Sequence, residues 1–148
     1  MNFNICEIKD RNKELIKQLV KIWEASVKST HLFLPDDEIL KIKEYVPDAI
    51  KGVQYLAVAK SKNNLPLAFM GINGNKLEML FVSWNMTGCG IGGTLLKYGI
   101  KKYNINTLTA NEQNLHAFEF YKHFGFKVFK RTEFDKQGQP YPLLYMSI

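Results

Sequence analysis

Long hydrophobic runs are absent: no apolar stretch in the 148 residues approaches the ~18 that a membrane span requires. Residues 1–4 pass straight into a mixed polar segment without a signal-peptide core. These absences predict a cytoplasmic protein with no membrane partner. Cysteine is scarce. Cys6 and Cys89 lie far apart and match no metal-ligand spacing, which predicts two reduced thiols and no metal site. Internal repeats, low-complexity segments and linkers are missing, and no Gly-Lys-Ser/Thr occurs, which removes the phosphate loop of P-loop enzymes. What remains is ordinary globular composition, 46% hydrophobic, 23% charged and 13% aromatic, at a length that fits one domain over residues 1–148.

The net charge of +6 is unevenly placed. Residues 1–78 carry 12 basic and 10 acidic side chains, residues 79–131 carry 7 and 2, and residues 132–148 carry 1 and 2. Such a local excess suits nucleic acid, a membrane surface or a polyanionic small molecule. Nucleic acid is set aside because no recognition helix or array of stacking aromatics accompanies the charge.

Ile16, Leu19, Val20, Trp23 and Val27 recur at helical spacing and predict an amphipathic helix starting near Asn12, after a short strand over residues 4–8. A second helix is predicted over residues 36–49, with Asp36, Asp37 and Glu38 in its first turn, where acids complement the helix dipole. Residues 55–60, 65–72 and 76–82 read as an antiparallel meander, with Asn73-Gly74 as the central pair of a type I′ turn. A helix over 91–103, a strand over 107–110, a helix over 115–124 and strands over 126–134 and 141–148 complete the chain. Pro142 places a bulge or a sheet edge at the start of the last strand. The order βαα-βββ-αβαββ predicts an α/β (α+β) fold: one mixed, mostly antiparallel central sheet with helices on both faces.

Gly88-Cys89-Gly90-Ile91-Gly92-Gly93 follows a strand and opens a helix, so backbone amides turn inward where the helix adds partial positive charge. That is an anion site. Gly88, Gly90 and Gly93 also satisfy the dinucleotide pattern GxGxxG, with Glu112 about 20 residues on. That pattern, however, belongs to the first turn of a parallel βαβ array, and here a meander precedes it. The second constellation runs from Asn111 to Phe126, with Asn114 as helix N-cap and Gly125 just past the helix end. Tyr121 shares a helix face with Ala117 and Phe124 and is equally an interior aromatic or a functional phenol.

The element order, the loop Thr87-Gly88-Cys89-Gly90-Ile91-Gly92 and the spacing of Asn114, Ala117, Phe120, Tyr121, Gly125 and Phe126 together resemble the GNAT superfamily of acetyl-CoA-dependent N-acetyltransferases. Ile22-Trp23, Ser26-Val27, Thr30-His31, Phe33-Leu34, residues 111–114 and residues 137–144 look like its bacterial YjaB-type subgroup. The resemblance implies acetyl-CoA as cofactor, lying in a V-shaped opening between the strands at 76–82 and 107–110. It implies a pantetheine arm on backbone groups of Leu80, Phe81 and Val82, a pyrophosphate on the amides of Gly88, Cys89, Gly90, Ile91 and Gly92, and further cofactor contacts from Asn111, Asn114, Ala117, Phe120 and Tyr121. At Thr87 the family usually has Arg or Gln, so weakened cofactor binding is expected.

Direct transfer needs a neutral amine, a polarised thioester carbonyl and a proton for the leaving thiolate. By the resemblance, Tyr121 supplies that proton and the N–H of Phe81 or Val82 polarises the carbonyl. Cys89 is not a nucleophile, because a thiolate in the loop would repel the pyrophosphate. For the base two candidates stand open: Glu78, otherwise a solvated or ion-paired strand residue, and His31, otherwise structural. His116 and His123 read as surface residues. The expected acceptor is an amine of a small molecule or protein, handled by a monomer or homodimer. The alternative is a non-catalytic acyl-CoA sensor.

Overall fold

A computed structural model gives the structure of residues 2–148. Strand β1 (Phe3–Glu7) leads into helix α1 (Lys13–Thr30), whose first turn is closed by the Asn12 side chain accepting from Leu15 N at 2.9 Å. The predicted second helix is two helices, α2 (Asp36–Lys43) and α3 (Val46–Gly52). Proline explains the break: Pro47 sits in the first turn of α3, where a missing N–H costs nothing, and could not continue a helix from α2. The order is therefore βααα-βββ-αβαββ.

The meander follows as β2 (Tyr55–Ser61), β3 (Pro66–Asn73) and β4 (Lys76–Val82). Its second turn differs from the expected one. Asn73 pairs with Lys76, so Gly74 and Asn75 are the central residues, and of these only Gly74 has positive φ (+59°). That is the φ pattern of a type II′ turn, which wants glycine first. Helix α4 (Ile91–Tyr103), β5 (Thr107–Asn111), α5 (Leu115–His123), β6 (Lys127–Thr132) and β7 (Leu143–Ser147) complete the chain.

One seven-stranded sheet in the order β1-β2-β3-β4-β5-β7-β6 forms the middle layer, antiparallel throughout except for β4 beside β5. The last strand lies inside the sheet, with β6 at the edge; Pro142 stands just outside its ladder and uses its carbonyl to accept from Glu112 N. Alternation along β2 divides the core. Leu56 and Val58 pack with α1 and its neighbours, including Leu19, Trp23, Ile39 and Ile50, whereas Ala57 and Ala59 face α4 with Leu95, Leu96 and Phe126. Helices cover both faces, as predicted.

Two features of this sheet make the site. The parallel pairing of β4 and β5 stops after Lys76–Thr107 and Leu77–Leu108, and the strands part beyond it. At the same level Gly71 pairs with Met79 and Ile72 with Leu77, which leaves Glu78 as an extra residue in β4, a bulge. Glycine is required opposite it: a Cβ on Gly71 would lie 2.6 Å from Met79 Cγ. No helix among the described residues is long and apolar enough to cross a membrane.

Candidate active site

Where β4 and β5 part, two connected hollows open. The larger, about 360 Å³, runs between the C-terminal half of β4, the glycine loop, the start of α4 and helix α5. The smaller, about 200 Å³, lies between β4 and β5. Leu80, Phe81, Asn114, Ala117 and Tyr121 line both and form the passage between them.

The larger cleft is built by the glycines. Gly88 and Gly90 have φ of +82° and +80°, a region that side chains avoid, with open space where a Cβ would stand. Gly90 is the N-cap of α4, and its carbonyl accepts from both Thr94 N (3.0 Å) and Thr94 Oγ1 (2.9 Å), which fixes the loop on the helix. At Gly92 a Cβ would meet Val82 Cγ2 at 3.4 Å and Phe120 Cζ at 3.7 Å, ordinary contacts that place α4 directly against β4 and α5. No carboxylate lines the cleft. Open amides at a helix start, beside a narrow apolar floor of Leu80, Val82, Ile91 and Phe120, fit a pyrophosphate continued by a thin pantetheine arm.

Most of the expected cofactor residues fall here: Leu80, Phe81, Val82, Thr87, Gly88, Gly90, Ile91, Gly92, Asn114, Ala117, Phe120 and Tyr121 all line the cleft. Cys89 is exposed and does not line it, and its N–H, expected on the pyrophosphate, donates instead to Met86 O at 3.3 Å; Asn111 lines the smaller cavity. The Thr87 hydroxyl donates to Trp84 O at 3.0 Å, closing the short turn Trp84–Met86. None of the seven basic residues of the 79–131 stretch lines the cleft; Lys102 pairs with Glu7, and Arg131 clamps Glu112 at 2.5 and 3.0 Å. The local charge excess thus sits on outer faces. Ser26, Thr30, Met86, Gly93 and His116 also line the cleft, although the sequence assigns none of them a cofactor contact. His116 lies in the first turn of α5, two positions after the N-cap Asn114, and lines the opening, although its helical period marks it as a surface residue.

The smaller cavity brings together His31, Glu78 and Tyr121, from α1's C-cap, β4 and α5. Glu78 sits on the bulge with its carboxylate 3.8 Å from Lys76 Nζ, an ion pair in which both side chains are 28% exposed. Burial, with Lys136 beside it, pulls the Lys76 ammonium below its usual range. Burial also lowers the His31 pKa and favours the neutral ring at physiological pH. Tyr121 packs edge-on against Phe120 (5.3 Å) and Phe126 (6.1 Å), and burial drives its phenol well above the ordinary value, so it holds its proton. Asn114 N-caps α5 by accepting from Ala117 N at 3.2 Å and pins the passage.

The chain matches the family described as "Acetyltransferase (GNAT) domain" over residues 38–142. It is 34% identical over 143 residues to the peptidyl-lysine N-acetyltransferase YjaB of Escherichia coli, covering 97% of each chain. It is 38% identical over 128 residues to the YjaB of Salmonella typhimurium, covering 86% of this chain and 88% of that one. The solution structure of the apo form of the Escherichia coli YjaB superimposes with a TM-score of 0.89, covering 99% of this chain and 97% of that one. The glycine loop, the parted strands and these likenesses agree, and the chain belongs to the GNAT acetyltransferase family, whose N-acetyltransferase chemistry draws on acetyl-CoA.

Proposed function

We propose that this protein acetylates the side-chain amine of lysine in a protein or peptide, with His31 as general base and Tyr121 as general acid. One observation carries the reading: His31, Glu78 and Tyr121 line a single cavity that opens, through Leu80, Phe81, Asn114 and Ala117, into the cleft of the glycine loop. A sensor that only bound acyl-CoA would have no use for the second cavity. The curated relatives are named as acting on peptidyl-lysine.

Bound in the cleft, acetyl-CoA supplies a thioester whose carbonyl carbon an amine attacks directly. The amine enters by the smaller cavity and gives its proton to His31, which is neutral because it is buried. Glu78, tied to Lys76, leaves the proton-accepting task to His31. As the N–C bond forms and the C–S bond breaks, Tyr121 donates its phenolic proton to the departing sulfur. Its raised pKa is no obstacle, because the same desolvation raises the proton affinity of the thiolate. Phe81 and Val82 present their backbone to the carbonyl.

The approach to the cavity is acidic although the chain is cationic overall. His31 touches Phe33 (5.4 Å between ring centroids) and Phe33 touches Tyr141 (5.5 Å), and Tyr141 lies in the field of Glu38, Asp135 and Asp37. A lysine flanked by basic residues suits such a rim. The test is acetylation of lysine peptides with basic or acidic flanks, read by mass shift and thiol release. Stoichiometric acetyl-lysine, fastest with basic flanks, is expected; no acetyl-lysine on any peptide, with free small amines acetylated, would overturn the reading.

A further inference from the structure

We propose that Thr30 is a positioning residue that sets the tautomer of His31, holding its proton on Nδ1 so that the Nε2 lone pair faces the acceptor; this rests on His31 as the base proposed above. The argument starts from the last turn of α1. Threonine near a helix end turns its hydroxyl back onto the carbonyl four residues earlier, and Thr30 Oγ1 does so, donating to Ser26 O at 2.7 Å. A hydroxyl has one proton, and here it is committed to an acceptor that has none to give. Thr30 Oγ1 also lies 2.9 Å from His31 Nδ1. Towards the ring it is therefore an acceptor, and a hydrogen bond at that distance requires the proton on Nδ1. A neutral imidazole protonated at Nδ1 carries its lone pair on Nε2.

The rest of the helix end holds both partners still. His31 is the C-cap of α1, its N–H bonded to Val27 O at 2.8 Å, and its own carbonyl accepts from Leu34 N at 3.0 Å. Ser26 O also receives Ser29 Oγ at 2.9 Å, so this carbonyl is a fixed anchor. Thr30 lines the larger cleft and His31 the smaller cavity, which puts the pair on the wall between them. The ring also packs against Phe33, 5.4 Å between centroids. The titratable groups around it are Glu78 on β4 and Tyr121 on α5, which share its cavity, Lys28 and Glu24 paired on α1, and Tyr141 with Asp37, Glu38 and Asp135 beyond Phe33. None of these replaces Thr30 in contact with Nδ1. When Nε2 takes the amine proton, the Nδ1–H bond to Thr30 is kept, and no rearrangement accompanies the transfer.

The experiment reads the ring nitrogens directly. With three histidines in the chain, long-range proton–nitrogen spectra of uniformly ¹⁵N-labelled protein, assigned with His31→Gln, give the tautomer of each. In the wild type above the His31 titration the proton is expected on Nδ1. Thr30→Val, which keeps the side-chain shape, is expected to release the preference and to lower kcat for a lysine peptide about five- to tenfold, the scale of one lost hydrogen bond. Thr30→Ser is expected to restore both. A proton on Nε2 in the wild type would overturn the tautomer assignment without any variant, and so would an unchanged tautomer and kcat in folded Thr30→Val. Wild-type kcat in folded His31→Gln would instead overturn the base itself, and the positioning role with it, so the two failures are told apart.

Discussion

Tyr121 is the residue whose two possible roles separate most cleanly. Its ring is wedged against Phe120 and Phe126, and the residue lines both the cleft and the cavity. Tyr121→Phe keeps the ring, so the melting temperature and the shift caused by acetyl-CoA are expected to stay near wild type while single-turnover acetyl transfer falls ~10²-fold, the scale of a lost general acid. An unchanged rate would leave protonation of the sulfur to water. Thr87 carries the second residue-scale prediction. Its hydroxyl closes the Trp84–Met86 turn, and no Lys or Arg lines the cleft, so Thr87→Arg exchanges one turn hydrogen bond for a charge-assisted phosphate contact. Calorimetry is expected to show acetyl-CoA binding up to about tenfold tighter at low salt, with the gain shrinking as salt rises. Equal affinity would mean that the loop amides already saturate the phosphates. At this scale the glycines were legible, because positive φ and the start of a helix leave a signature in sequence. Thr30, Ser26 and Thr109 were not: each is an ordinary polar residue that reaches the hollows only because α1 or β5 packs there.

Among the elements, α4 shows how close packing supports the cleft. A Cβ on Gly99 would stand 2.5 Å from Ile105 Cδ1 and 2.9 Å from Met70 Cε, so the helix lies close on β3 and any side chain there must displace both buried tips. Gly99→Ala is expected to destabilise the fold by about 1 to 3 kcal/mol through overpacking, despite alanine's better helix propensity. Chemical denaturation checks this: a stabilised variant would mean that Met70 and Ile105 repack freely. The element order was legible where hydrophobic periods are long, as in α1 and α4, whose starts were placed within one residue. It failed where chain geometry decides. The break between α2 and α3 turns on Pro47, a residue equally at home at a helix start, and the β3–β4 turn on which of two neighbours of Gly74 joins the loop. The bulge at Glu78 left no mark, since a bulge is a mismatch between two strands and belongs to neither alone.

For the molecule as a whole, the perturbed groups set limits on stability with pH. Lys9 and Tyr103 around Glu7, Lys43 around Glu24 and Arg131 around Glu112 hold these carboxyls below their ordinary value near 4.5, so their contributions are present above that pH and lost as it falls. Burial, with Glu7 beside Tyr103, raises the phenols of Tyr103 and Tyr121, whose contributions are present below pH 10 and lost as pH rises above it. His31 acts in between. Its folded pKa is depressed below 6.5, so from 6.5 downward the unfolded chain takes up a proton that the folded chain refuses. Stability is expected to be level between about pH 6.5 and 9 and to decline from 6.5 towards 5, before the carboxyls titrate. Urea midpoints across this range measure it directly, and His31→Gln is expected to flatten the decline between 6.5 and 5 while leaving the acid and alkaline limbs in place. The same depression keeps the ring neutral and ready to accept the amine proton, so transfer should slow at a lower pH than that at which stability begins to fall, where the folded ring itself takes up a proton. A variant with the full decline would show that His31 titrates alike in both states, and the general base would then have to be sought at the Glu78 carboxylate.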